Sequence, residues 1–460
     1  MPQFVAPAVS GLSSMTPAAP RLKSDTEPKP IARALDHAAF ACLWAVIFAV
    51  PWEDSATIGG FVVSHWLGIL SVAAAGLRLA VRGRIRTLTP LHYGMAAFVA
   101  WAGLSFLWTK ALDMTATRVA TYVQLLILVW LIWELAPEEK QLIALARAYS
   151  LGAGYSATNI ILTLLGYKQS AINVDYSQLE YYGRYAPEGF NQNELALLLA
   201  LSIPLTLYLT TKRQPLILEA LCWIQLVLCA TGILLTGSRA GLVCLALAST
   251  MLLFALPHYS LWKKNFSLVA IGCAVATALI AVPPTTWQRL FTLKTEVTEG
   301  TLNERTVIWA AGLSVFRDHP FVGVGAGAYG PSVLPKLDIA FYAHNSFLSI
   351  LVELGVVGAL ILLGLLAGLF YAACRMPRPQ KWMWVIMLAT WATGVFSLSW
   401  EFRKPTWFLF GMLAAYAGMA QRKRLRTALA QHAPERPLAA PARAHQISRR
   451  PRYRPSRLGR

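Results

Sequence analysis

The chain has 460 residues, 56% of them hydrophobic and 14% charged, and a formal net charge of +19. Length alone allows two or three soluble domains, but the apolar residues come in runs of about 20, the length that crosses a bilayer, and such runs exclude an ordinary soluble fold with alternating faces. The positive charge is concentrated: residues 422–460 hold twelve Lys/Arg and one acid, Glu435, which points to anionic lipid at the membrane surface and away from a nucleic-acid groove.

Residues 1–35 lack an apolar h-region, so they predict a disordered cytoplasmic segment and not a cleavable signal peptide. From there the sequence predicts an all-α integral membrane protein over 36–421. Its spans fall near 36–51, 57–81, 90–108, 114–135, 141–166, 193–211, 215–236, 239–257, 265–284, 344–371, 382–400 and 404–420, about twelve in all. A barrel would instead show period-two alternation in segments of about 10 residues, and that is missing. Basic loops at Arg78/Arg82/Arg84/Arg86, Lys212/Arg213, Lys263/Lys264 and Arg375/Arg378/Lys381 share one side if the spans alternate. The positive-inside rule makes that side cytoplasmic, with both termini inside a bacterial inner membrane. Residues 422–460, rich in Pro, Ala and Arg, predict a disordered basic cytoplasmic tail. The six cysteines lie in or at the ends of spans without metal-ligand spacing, which fits packing residues.

Two outer loops are long, at about 167–192 and 285–343, the second between spans nine and ten. Long loops in a compact protein tend to be functional, and chemistry there must proceed without cytoplasmic nucleotides. The first loop ends in Gly183-Arg184-Tyr185 and then Gly189-Phe190-Asn191-Gln192-Asn193-Glu194-Leu195-Ala196. Spans seven and eight meet at Thr236-Gly237-Ser238-Arg239-Ala240-Gly241. A cation at that depth needs an anionic partner, and arginine forks suit phosphate oxygens; a snorkelling or salt-bridged arginine is the plainer reading of each alone.

The second loop predicts a helix over about 303–318, with Asn303 as N-cap and Pro320 closing it, and with Arg305, Trp309, Gly312 and Phe316 on related faces. Residues 325–330 match the GxGxxG string, but no strand precedes it and no strand–helix alternation surrounds it. A dinucleotide site is therefore rejected in favour of a loop whose backbone approaches a ligand or a neighbouring helix. Ala343-His344-Asn345-Ser346 then opens a strong span containing Glu353-Leu354-Gly355. A histidine at a membrane boundary can take a proton near neutrality; it can equally be an interfacial histidine in an ordinary hydrogen bond.

Taken together these strings resemble the O-antigen ligase and polymerase family of polytopic membrane proteins. The resemblance rests on Gly189 to Ala196, on Thr236 to Gly241, and on the series Arg305, Trp309, Asp318-His319-Pro320, Gly323-Val324-Gly325, His344-Asn345-Ser346 and Glu353-Leu354-Gly355, about 190 residues in all. One departure is Gln192, where many relatives carry proline. The resemblance implies twelve helical spans and an undecaprenyl diphosphate-linked glycan as donor. It also implies transfer in the periplasm with no cofactor, metal or nucleotide sugar. By position Arg184 and Arg239 would grip the diphosphate, with Arg305 a further contact, and His344 would be the catalytic base. The acceptor would be a hydroxyl of lipid A-core in a ligase, the reading favoured here, or another lipid-linked repeat in a polymerase. Membrane lipids are the other expected partners; nucleic acid is not one.

Two other classes compete. A transporter or flippase also uses twelve spans, but no internal repeat or matched pair of broken helices is evident. A metal-dependent transferase would need Glu53-Asp54 in the first outer loop to hold a divalent ion, and two adjacent carboxylates are thin support for it.

Overall fold

Backbone amides that enter hydrocarbon must be paired within their own segment, and the chain meets that demand with helices. A computed structural model describes residues 30–55, 57–58, 60–167, 183–187, 189–291 and 305–431. The predicted N-terminal segment and basic tail lie mostly outside the described residues, as do most of 167–192 and the expected N-cap Asn303. By contacts the chain divides after Met419; of the second unit, from Ala420, only the run of helix to Gln431 is described.

The helices are α1 (Pro30–Ala49), α2 (Val63–Arg82), α3 (Pro90–Leu104), α4 (Leu112–Leu135), α5 (Glu139–Leu164), α6 (Gln192–Thr210), α7 (Leu216–Leu235), α8 (Arg239–Ser249), α9 (Met251–Ala255), α10 (Leu261–Ala281), α11 (Pro284–Phe291), α12 (Arg305–Asp318), α13 (Tyr329–Leu337), α14 (Ser346–Cys374), α15 (Gln380–Val395) and α16 (Lys404–Gln431). A two-residue hairpin, Thr57–Ile58 with Phe61–Val62, turns the chain between α1 and α2. Each of the twelve predicted spans overlaps a helix, although 57–81 begins in that hairpin and 382–400 runs past the end of α15 at Val395. Among the described residues, nine helical stretches are long and apolar enough to cross a membrane, which makes this a multi-pass, all-α membrane protein. The other three are α5, with polar and small residues along its length, α15, with only 16 residues, and α16, whose second half is basic.

The most enclosed helix is α6, buried almost throughout and packed against α5, α7, α8 and α15. A helix apolar on every face must be covered on every face, and α6 is the axis around which the others gather. Small residues of α5 let α1 close in on it. A Cβ at Gly152 of α5 would lie 2.2 Å from Phe48 O, and Ser156 donates to Pro51 O at 2.6 Å. Interfaces built this way depend on close backbone approach, since lipid is as apolar as leucine.

Arg78, read from sequence as part of a basic loop, is instead buried in α2. Its Nε donates to Asp36 Oδ1 and its Nη1 to Glu134 Oε1, each at 2.8 Å, tying α1, α2 and α4 together. At the other end of the bundle Arg403 pairs with Glu194 at 2.7 Å, and Lys404 pairs with Glu53. Glu53 also accepts from Ser64 Oγ, so this carboxylate is engaged by protein groups.

Candidate functional site

The three strings singled out in the sequence share one local function, which is to start a helix. Asn191 caps α6, its Oδ1 accepting from the amides of Asn193 and Glu194 at 2.9 and 3.3 Å. Ser238 caps α8, its Oγ accepting from Gly241 N at 3.1 Å. Asn345 caps α14, its Oδ1 accepting from Phe347 N and Leu348 N at 3.0 and 3.1 Å. Each cap satisfies amides that would otherwise lack partners and is worth about 1 kcal/mol. The same ends carry the positive pole of the helix dipole, which favours anions.

Arginines join these ends. Arg184 donates from Nε to Thr236 O at 3.2 Å and from Nη2 to Asn193 Oδ1 at 2.9 Å, fastening the start of α6 to the turn before α8. That turn depends on Gly237, with φ of +60°, where a Cβ would lie 3.1 Å from Arg184 Cγ and 3.4 Å from Arg289 Cδ. Arg289, on α11, donates to Gly237 O at 3.3 Å. Two arginine stems thus converge on the residue two positions before Arg239. Arg305, the first residue of α12, has its pKa lowered by burial first and then by the charge of Arg239, so those two cations are near one another. All four arginines are half-buried.

His344 sits one residue before the cap of α14. Its φ of +47° is left-handed, a conformation that costs a non-glycine residue on the order of 1–3 kcal/mol and persists only where its surroundings impose it. The surroundings are explicit. Trp309 Nε1 of α12 donates to Ala343 O at 2.8 Å, immediately before His344. Ser346 Oγ, just after it, donates to Leu398 O at 3.0 Å and accepts from Trp400 N at 2.7 Å. The imidazole is held below its ordinary pKa by burial first and by the Arg305 guanidinium second. Either cause favours the neutral ring, the form that accepts a proton.

Below His344 the glycine-rich loop closes onto α14. Val324 N and Gly325 N donate to Val352 O and Glu353 O at 3.0 and 2.8 Å, and Val356 N donates back to Pro320 O at 2.8 Å. The exchange is possible because α14 breaks at Gly355, with φ of +66° and ψ of −170°. The GxGxxG string therefore serves close packing: a Cβ at Gly325 would lie 2.4 Å from Thr109 Oγ1. Glu353 Oε2 accepts from Gly327 N at 2.7 Å and faces Arg118 at 3.7 Å, and Arg118 also pairs with Glu401 at 3.2 Å. All three side chains are buried or nearly so.

Sequence reasoning named Arg184, Arg239, Arg305 and His344. Arg305 lies in the field of Arg239 and His344 in the field of Arg305, and Arg184 reaches the turn before Arg239 through Thr236 O. It missed Arg289, Arg118 and Glu401. An ionisable residue inside a span is a signal in its own right, and it was available for Arg118. Among the described residues no group of three or more His, Cys, Asp or Glu is placed to hold a metal ion.

Residues 224–363 match the family model described as O-antigen ligase. The matched segment contains Arg239, Arg289, Arg305, His344 and Glu353 and leaves out Arg184. No curated protein matches the chain.

Proposed function

For a chain that carries an O-antigen ligase family segment, we propose a glycosyltransferase that moves a glycan from undecaprenyl diphosphate to a hydroxyl of lipid A-core on the periplasmic face of the inner membrane. The observation that carries this reading is the joining of two capped helix starts, α6 and α8, by Arg184, with Arg289, Arg239, Arg305 and His344 following on. Arg184 and Arg239 hold the diphosphate, with Arg305 and Arg289 beside them. They stabilise the negative charge that grows on the leaving group as the glycosidic bond breaks. The acceptor hydroxyl attacks the anomeric carbon while its proton passes to His344. A single displacement inverts the anomeric configuration, and no step calls on a metal or a cofactor.

The placement of the site follows from twelve spans and the positive-inside rule. With α5, α15 and α16 counted as spans, the starts of α6, α8 and α14 all face the periplasm, and both termini lie in the cytoplasm. The family resemblance and the basic loops support this orientation.

In a purified assay with a lipid-linked glycan and an acceptor lipid, His344→Ala is expected to lower turnover by about 10²–10⁴-fold, the usual span for a lost general base, with donor affinity largely kept. Turnover near that of the wild type would remove His344 as the base. The acceptor separates the ligase from a chain polymerase. In cells lacking the gene, long glycans stranded on the polyprenyl carrier above bare lipid A-core mark a ligase. Single repeats on lipid A-core mark a polymerase.

A further inference from the structure

The candidate site is carried by separate helices. Arg184 fastens the start of α6 to the turn before α8, whereas His344 stands just ahead of the cap of α14. An attacking hydroxyl, its base and a leaving diphosphate must meet in one geometry, and a misplacement of about 1 Å can cost about a hundredfold in rate. The distance between these helix starts therefore has to be set by the protein.

The connection between α15 and α16, residues 396–403, reaches both. On the side of His344, Ser346 Oγ donates to Leu398 O at 3.0 Å and accepts from Trp400 N at 2.7 Å. Ser349 Oγ, one turn along α14, donates to Glu401 Oε1 at 2.9 Å. The connection is itself held firmly. Arg403 N donates to Trp400 O at 3.1 Å, Trp407 Nε1 donates to Glu401 O at 2.8 Å, and Arg118 pairs with the Glu401 carboxylate at 3.2 Å.

Its last residue crosses to the other side. Arg403 Nη2 pairs with Glu194 Oε2 at 2.7 Å. Glu194 follows Asn193, whose Oδ1 accepts from Arg184, and the Glu194 amide donates to the Asn191 cap at 3.3 Å. Close packing brings the connection to this level: a Cβ at Gly394, near the end of α15, would lie 2.4 Å from Leu197 Cδ1 of α6. One short segment thus links the helix start that Arg184 holds to the helix start that carries His344.

We propose that Arg403 is a positioning residue, which through Glu194 holds the start of α6 at a fixed distance from His344. This rests on the transferase reading above. Both residues lie outside 224–363, so the family match assigns neither of them. Their side chains are 35% and 21% exposed, and so open an ion pair adds little to stability. Its loss should be felt in the chemistry and not in folding.

The test is a purified assay of the full chain with a lipid-linked glycan and an acceptor lipid. It reads kcat, melting temperature and, with no acceptor present, the affinity for undecaprenyl diphosphate. Arg403→Gln and Glu194→Gln should each lower kcat by about 10–100-fold, with affinity and melting temperature nearly unchanged. Residues that act as a unit are not additive, so the double variant should be no slower than Arg403→Gln alone. Arg403→Lys, which keeps the charge, should recover part of the rate. Lys404→Gln removes the adjacent cation, whose partner is Glu53, and should keep the wild-type kcat.

A wild-type kcat in Arg403→Gln overturns the proposal and leaves the transferase reading standing. So do losses that multiply in the double variant, and a Lys404→Gln loss as large as that of Arg403→Gln. A melting temperature that falls together with kcat would reduce the pair to a structural one. Weakened undecaprenyl diphosphate binding at unchanged kcat would make Arg403 a ligand of the donor, which also overturns it. A wild type that makes no product overturns the transferase reading and this proposal with it.

Discussion

At the scale of single residues, the site turns on how His344 is kept neutral. Burial is the larger cause and Arg305 the smaller, and both push its pKa down from 6.5. If the neutral imidazole takes the acceptor proton, activity stays level as pH falls through the ordinary histidine range and declines only below it. Arg305→Gln removes the second cause and leaves the first. The acidic limb of kcat/KM should then move upward, while its ceiling falls through loss of a cation beside the diphosphate. A limb that stays in place would mean that the imidazole is not the titrating group. His344 was legible in the sequence because histidine at a span boundary is chemically conspicuous. The lowered pKa was not legible, because it depends on Arg305, 39 positions away, and on how deeply both are packed.

At the scale of elements, the broken helix α14 is the part least readable in advance. Its sequence from Ser346 to Cys374 is one apolar run, and hydropathy gives no sign of a break. What breaks it is a partner: the Pro320–Gly325 segment exchanges backbone hydrogen bonds with Val352, Glu353 and Val356 across Gly355. A Cβ at Gly355 would lie 2.2 Å from Phe321 O, in a backbone region that only glycine enters readily. Gly355→Ala should therefore cost about 2 kcal/mol or more and lower the apparent melting temperature in detergent. A Cβ added at Gly364, on the same helix, would meet nothing within 4 Å, so Gly364→Ala should be neutral or slightly stabilising. Equal effects from the two would show that the break carries no stability. The helices themselves were legible, since apolar runs of this length have few alternatives in a membrane. The capping role of the three strings was not: Asn and Ser before an apolar run were read as family motifs, although their spacing from the first helical amides is also that of N-caps.

At the scale of the whole molecule, the open quantity is how many helices cross. Nine described stretches satisfy length and hydropathy, an odd number that would put the two ends of the chain on opposite faces. Counting α5, α15 and α16 gives twelve, an even number that returns both ends to one face. The difference arises because α15 has only 16 residues and α16 runs on into a basic half, while α5 carries polar and small residues that its neighbours shield, and a shielded helix need not be uniformly apolar. Charge requires α5 to cross, since only then do the basic loops lie together, and the basic tail joins them when α15 and α16 cross as a pair. Phe321, 73% exposed in the glycine-rich segment, and Ile85, 66% exposed beyond α2, report on the two faces. In a cysteine-free background, Phe321→Cys should react with an impermeant maleimide in intact spheroplasts. Ile85→Cys, and a cysteine tag at either end of the chain, should react only after permeabilisation. Reaction of one terminal tag in intact spheroplasts would give an odd number of crossings, and one or all three of α5, α15 and α16 would then have to lie along the membrane and not through it.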